Sequence, residues 1–233
     1  SLDRRQRQMC IRDSGCGSFT ENISDLIGQE LKECAFQLPY ILKDTNQVLR
    51  KIEEINRSGA LKGTNIIHTS WDVVAMFPNI PKEMGIRRCR EVLDNRQEPK
   101  LSTECIIEAL ELSLGYNIAQ FDDTWYRQTR GAAMGPHDSC PYADIAMSEI
   151  DNIVHSENNP HRKPVNWSRY RDDIYDTWLG SEEELLAFTE WLNTLSPSIK
   201  FTVSYSQEGI EFLDTFIYDL SLIHISEPTR PID

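Results

Sequence analysis

Three carboxylates stand where a folded chain seldom leaves acids without a purpose. Asp72 lies inside the apolar run from Ile66 to Phe77, where a lone acid would be costly to bury. Asp172 and Asp173 are adjacent, between the strand-like halves Trp167–Tyr170 and Ile174–Trp178. The pair by itself reads as a solvated hairpin turn. Joined on one sheet by a strand acid, it reads as a holder for two divalent cations. Two-metal phosphoryl transfer needs carboxylates that bridge ions ~3.5–4 Å apart, clamping the attacking and the leaving oxygens. Mg2+ suits such a site because it takes oxygen ligands and keeps positions for substrate phosphates, and Mn2+ would serve in its place. This chemistry requires Asp72 and Asp172 on neighbouring antiparallel strands, with their carboxylates on one face.

The elements around these acids follow from periodicity. Ile23, Leu26, Ile27, Leu31 and Cys34 mark the apolar stripe of a first helix, which Pro39 breaks. Ile41, Val48, Ile52 and Ile55 mark a second, with Asp44 as cap and Ser58-Gly59 as its end. A strand is expected over Ile66–Phe77, stopped by Pro78 and Pro81, and then a helix on Ile86, Cys89 and Leu93. Ser102 to Leu114 reads as a further helix on Ile106, Leu110 and Leu114. Tyr116 to Gln128 reads as a hairpin turning at Asp122-Asp123. An irregular loop over Gly131, Gly135, Pro136 and Pro141 leads into a helix ending near His155. Strands flank Asp172-Asp173, and Ser181 with Glu184 forms a capping box for a helix on Leu185, Phe188 and Leu192. Ile199–Tyr205 and Ile210–Tyr218 read as closing strands. The order is α+β, with locally paired strands and helices on one face. Trp167, Tyr170, Tyr175 and Trp178 read as core aromatics of this sheet.

Composition narrows the class. The 233 residues are 39% apolar and 26% charged, which is globular. The longest apolar run, Val73 to Phe77, is far short of the ~18 residues a membrane span needs. His68, His137, His155 and His161 show no ligand spacing with the six scattered cysteines, so a zinc site is not expected. The cysteines read as reduced and intracellular. A net charge of −13 argues against autonomous nucleic-acid binding, which needs clustered Lys and Arg.

Five ordered blocks change the weight of that argument. Trp71-Asp72-Val73-Val74-Ala75-Met76-Phe77-Pro78-Asn79-Ile80-Pro81 resembles polymerase motif A of the reverse transcriptases, an Asp followed five residues on by an aromatic. Tyr126 to Gly135, with Gly131, Met134 and Gly135, running on through Tyr142-Ala143-Asp144-Ile145, resembles motif B. Arg169-Tyr170-Arg171-Asp172-Asp173-Ile174 resembles the Tyr-x-Asp-Asp box of motif C. Ile199-Lys200-Phe201-Thr202 resembles motif D, and Ile210-Glu211-Phe212-Leu213-Asp214 the segment after it. Asn79-Ile80-Pro81, the Trp167–Asp173 run and Phe212-Leu213-Asp214 bring the resemblance nearest to the Penelope-like retroelements. It implies a right-hand palm with part of the fingers: a helical fingers-side segment at 15–65 and palm and fingers at 66–219.

The resemblance also implies roles. Asp72, Asp172 and Asp173 would be the catalytic metal ligands, with Asp173 the less direct one. Phe77 would be the steric gate against a ribose 2′-OH, or else a strand-end core aromatic. Val73 and Val74 would offer backbone groups near the triphosphate. Gly131, Met134 and Gly135 would line the nucleotide, the glycines allowing close backbone approach, or else merely punctuate a loop. Lys200 would meet the leaving pyrophosphate, or be a solvated strand lysine. Arg127 and Arg130 would meet nucleic-acid phosphates, or be surface arginines. The implied partners are an RNA template, a DNA primer and deoxynucleoside triphosphates, in a nuclear, membrane-free setting in a eukaryotic host. A downstream GIY-YIG endonuclease is common in the family. Cys140 replaces the usual Pro, Pro141 follows it, and Asp144 stands where Asn is common. Those departures support one rival, a decayed inactive remnant; a second, from another class, is a non-catalytic RNA-binding scaffold.

The two ends read as foreign. Met9–Asp13 can be encoded ATG TGT ATA AGA GAC followed by AG, whose reverse complement opens CTG TCT CTT ATA CAC ATC, a coding of Leu220–Ile225. Such inverted ends resemble the transposase end sequence of sequencing-library adapters. Residues 1–14 and 220–233 are therefore set aside from fold reasoning and expected to pack poorly. The remaining 15–219 carry 19 Lys and Arg against 33 Asp and Glu, so the acidity belongs to the domain. Without a thumb, this stretch alone is expected not to polymerise.

Overall fold

The computed structural model describes residues 11–13, 20–59, 61, 64–97, 99–121 and 124–218. The elements run β1 (Ile11–Asp13), α1 (Glu21–Ala35), α2 (Thr45–Ser58), β2 (Ile67–Val73), α3 (Met76–Asn79), α4 (Lys82–Asp94), α5 (Thr103–Gly115), β3 (Ile118–Phe121) and β4 (Thr124–Arg127). They continue α6 (Ser139–His155), β5 (Ser168–Tyr170), β6 (Asp173–Trp178), α7 (Glu182–Leu192), β7 (Phe201–Ser206), β8 (Gly209–Phe212) and β9 (Thr215–Tyr218). The chain forms two compact units: residues 1–38 with 75–149, and residues 39–74 with 150–233.

In the first unit α1, α4 and α5 pack together around Ile27, Leu31, Cys89, Leu93, Ile106 and Leu110. Ser102 caps α5 by accepting from the Cys105 N–H. The buried face of α1 is Ser24, Ile27, Gly28, Leu31, Cys34 and Ala35, and Leu26 of the expected stripe is 52% exposed. Small residues displace Leu26 because α1 seats on the loop at 137–138. A Cβ on Gly28 would come within 2.8 Å of the His137 carbonyl oxygen. β1, β3 and β4 form an antiparallel sheet in that order, with Ile11 opposite Phe121. The turn expected at Asp122-Asp123 lies outside the described residues. So do the end segments set aside above, except Ile11–Asp13, which pair with β3. Pro141 falls in the first turn of α6, where its missing N–H costs nothing.

The second unit is built on the antiparallel sheet β5-β6-β2-β7. One face carries Thr69, Trp71, Ile174 and Trp178. Trp71 packs tilted against Trp167 and edge-on against Phe188, and its Nε1–H donates to Thr189 on α7 at 3.0 Å. The capping box at Ser181 and Glu184 starts α7. The opposite face carries Tyr175, which joins Leu42, Val48, Ile210, Phe212 and Ile217 in a second core under α2 and the β8–β9 hairpin. Asp44 caps α2 by accepting from the Gln47 N–H at 2.9 Å, and Gly59 ends it in the left-handed region at φ 68°. The aromatics Trp167, Tyr175 and Trp178 are core residues, as expected, and Tyr170 is half-buried against the second core.

Two expected strands are shorter than read. β2 stops at Val73, because Ala75 adopts φ 47° and the chain turns into α3, with Pro78 inside its single turn. Ile210–Tyr218 is a hairpin, folded back where Leu213 adopts φ 53°. Apolar content alone carries no sign of a left-handed Ala or Leu.

Candidate active site

Strand alternation sets the site. In β2 Trp71 and Val73 are buried and Asp72 between them is exposed, so Asp72 stands on the face opposite Trp71. The register places Asp173 of β6 directly across from Asp72, and Thr202 of β7 across from it on the other side. Cross-strand partners share a face, so Asp72 and Asp173 project together. Asp172 lies in the two-residue link between β5 and β6, not on a strand as expected. That link is possible because Arg171 takes φ 59°. It is also fastened to β2, since the Val73 N–H donates to the Asp172 carbonyl at 3.0 Å. Tyr175 and the hairpin cover the far part of this face, while Asp72, Thr202 and Ser204 stay open.

The electrostatics are those of crowded like charges. Burial, then Asp172 and Asp72, push the Asp173 carboxyl up to about 6. Burial, then Asp172, push Asp72 above the usual carboxylate range. No Lys or Arg offsets either acid among the described residues. Nor do three or more His, Cys, Asp or Glu side chains gather there into a ready metal cage among the described residues. That donor set fits a hard cation held by one or two carboxylates, with the rest of its shell from water and substrate oxygens. It does not fit an all-protein cage.

The other expected site residues divide between the units. In the second, the Val74 N–H donates to the Lys200 carbonyl at 2.8 Å, so the amides of Val73 and Val74 both serve sheet edges. The Val74 side chain is 40% exposed. Lys200 points its Nζ at the carbonyls of Asn193 and Ser196, at 2.6 and 3.0 Å, just past α7. In the first unit, Phe77 and Gly131 meet. The Ala132 N–H donates to the Phe77 carbonyl at 2.9 Å, and a Cβ on Gly131 would lie 2.2 Å from that oxygen. Gly131 has φ 65° and Gly135 φ 138°, so both need glycine. Met134 is 52% exposed. Arg127 donates to the Gly115 carbonyl at 3.0 Å and lies over the Tyr116 ring, and Arg130 is exposed.

Sequence reasoning passed over two buried acids that organise these segments. Asp138, in the motif B loop, accepts from the Ser24 hydroxyl at 2.7 Å, while neighbouring His137 faces Asp25 at 3.4 Å. Asp151, on α6, pairs with Arg169 of β5 at 2.8 Å, both side chains being fully buried. The available signal was Asp151 sitting on the apolar helix face of Met147, Ile150 and Val154, where a carboxylate requires a cation.

No protein-family model and no curated protein matches the chain. Solved structures do. Telomerase from Candida albicans, in complex with a fragment of telomeric RNA, matches with a TM-score of 0.65 and 14% identity, over 92% of this chain and 38% of that one. Apo telomerase from Candida tropicalis, truncated from its C-terminal domain, matches with a TM-score of 0.61 and 12% identity, over 89% and 44%. The BmCPV RNA-dependent RNA polymerase at its quiescent state matches with a TM-score of 0.59 and 11% identity, over 84% and 19%. The fold is thus the mixed helix and antiparallel-sheet fold of polymerase palm and fingers. The chain spans less than half the length of each of these structures.

Proposed function

We propose that the chain is the palm and part of the fingers of an RNA-directed DNA polymerase of a Penelope-like retroelement. Its substrates are deoxynucleoside triphosphates, added to a DNA primer on an RNA template. The observation that carries this reading is the cross-strand pairing of Asp72 with Asp173 beside the Asp172 turn, with both carboxyls raised by burial and then by their acidic neighbours, and no Lys or Arg among the described residues to offset them. Asp72 and Asp172 would hold Mg2+, or Mn2+, with Asp173 in support. Two such ions supply charge stabilisation to the attacking and leaving oxygens of an in-line displacement. Phe77, five residues on, would stand against a ribose 2′-OH, with Gly131 letting the backbone approach it.

The loop before α6 is seated in the first unit, with His137 facing Asp25, Asp138 accepting from Ser24, and Gly28 leaving room for them. The departures at Cys140, Pro141 and Asp144 keep a decayed, inactive remnant as the rival reading. The test is templated primer extension with Mg2+ on an RNA template, by the protein expressed with the coding sequence that adjoins it. Extension should depend on the metal and vanish in Asp172→Ala and in Asp72→Ala. Extension that survives both changes overturns the reading. RNA binding without extension, equal in wild type and variants, replaces it with the scaffold.

A further inference from the structure

Arg169 is completely buried, yet its guanidinium has work on two edges. Nε and Nη2 face Asp151 Oδ2 at 3.0 and 2.8 Å, and Asp151 Oδ1 also accepts from the Trp167 indole at 2.8 Å. On the other edge, Nη1 donates to the carbonyl of Arg171 at 3.3 Å. That carbonyl belongs to the peptide joining Arg171 to Asp172. The backbone of Arg169 is equally fixed: its N–H donates to the Tyr40 carbonyl, and its carbonyl accepts from the Leu42 N–H, both at 2.8 Å.

The link these contacts restrain is not self-supporting. Arg171 occupies φ 59°, which a non-glycine residue keeps only where its surroundings over-determine it. Two anchors do so. The Val73 N–H holds the Asp172 carbonyl from β2, and the Arg169 fork holds the Arg171 carbonyl from the other side of the turn. The peptide before Asp172 and the peptide after it are each tied, so the carboxylate between them has a fixed origin. Asp151 in turn fixes the fork, from the part of α6 that belongs to the second unit. From this geometry we infer that Asp151 and Arg169 are positioning residues for the Asp172 carboxylate, carrying the α6 frame to the turn. The inference rests on the reading of Asp172 as a metal ligand. Lysine cannot replace Arg169 here, because an ammonium on a single stem cannot present one edge to Asp151 and another to Arg171.

The test compares Arg169→Lys and Asp151→Glu with wild type and with Asp172→Asn in the full chain. Mn2+ affinity is read by EPR titration, Val73 amide exchange by NMR or mass spectrometry, and melting temperature by calorimetry. Loss of a group that orients a metal ligand characteristically costs about 10–100-fold in metal affinity. Arg169→Lys should weaken Mn2+ about tenfold and speed Val73 exchange, with melting moved by only a few degrees. Wild-type Mn2+ affinity with wild-type Val73 protection in that variant overturns the inference. If Arg169→Lys does not fold, Asp151→Glu, which keeps the charge of the pair and shifts the fork, is judged by the same two readouts. If wild type binds no Mn2+, or Asp172→Asn binds it equally well, the metal reading fails. Val73 exchange then decides by itself: faster exchange in the variants upholds the tether, and unchanged exchange removes it.

Discussion

Two sets of acids in the same unit are treated in opposite ways. Asp151 is buried against the guanidinium of Arg169 and the indole of Trp167, its charge matched inside the protein. Asp72, Asp172 and Asp173 lie at an open end of the sheet, pushed together by β-register and a tight link, with their repulsion left in place. Asp151 is thus complete in charge, while among the described residues no Lys or Arg offsets Asp72 or Asp173, which leaves them open to a cation from solution. The contrast between these two sets is one of electrostatic completeness, which neither burial nor residue type reveals alone.

The sharpest break of that comparison is Arg169→Leu. It leaves Asp151 buried and uncompensated, and removing one partner of a buried pair costs about 3–5 kcal/mol. Urea denaturation should show the loss in its midpoint without a change of slope. A loss under about 1 kcal/mol would mean that the pair is solvated in practice, and the contrast between the two sets would dissolve.

The second prediction concerns the open set. A cation that binds only the folded protein stabilises it by mass action, about 2.7 kcal/mol at a hundred times its Kd. Mn2+ should therefore raise the melting temperature of wild type, and much less that of Asp172→Asn. A change in the first unit, such as Arg88→Ala, whose guanidinium pairs with Glu91 at 2.8 Å, should leave the increment intact. Equal increments in wild type and Asp172→Asn would place the cation elsewhere.

What the sequence made legible follows the same division. Asp72 and Asp172-Asp173 were visible because an acid in an apolar strand and a paired acid at a turn violate local expectation. The helices on Val48, Leu110 and Phe188 were visible because their apolar residues recur at helical spacing. The Arg169–Asp151 pair was not, because its partners are 18 residues apart in different elements, and periodicity carries no long-range pairing. The displacement of Leu26 by Ser24 and Gly28 was hidden for a similar reason, since a distant loop chooses that face. The left-handed backbone at Ala75, Arg171 and Leu213 was hidden because none of these residues announces it as Gly or Asn would.

The smallest expected effect tests the burial and crowding of Asp173 through pH. Asp173 has its folded carboxyl raised to about 6 from an ordinary 3.8, so the native state holds the proton more tightly than the unfolded chain does. The contribution to stability is then complete below about 4 and is lost as pH rises through 6. At face value such a displacement is worth roughly 3 kcal/mol. The group is half open to solvent, and screening reduces the figure to about 1 kcal/mol. Asp176, fully buried and raised to about 7, acts in the same direction, while burial lowers His155 and makes acid destabilising there. Both groups persist in Asp173→Asn, so the difference between wild type and this variant isolates Asp173. On going from pH 7.5 to just below 4, wild type should gain about 1 kcal/mol relative to Asp173→Asn, measured by denaturation at each pH without divalent metal. Saturating Mn2+ should shrink that difference, because an ion favours the carboxylate just where the crowding favours the acid. Parallel pH curves in metal-free buffer would show that neither burial nor its acidic neighbours raise Asp173, and the open set would lose the property that distinguishes it from Asp151.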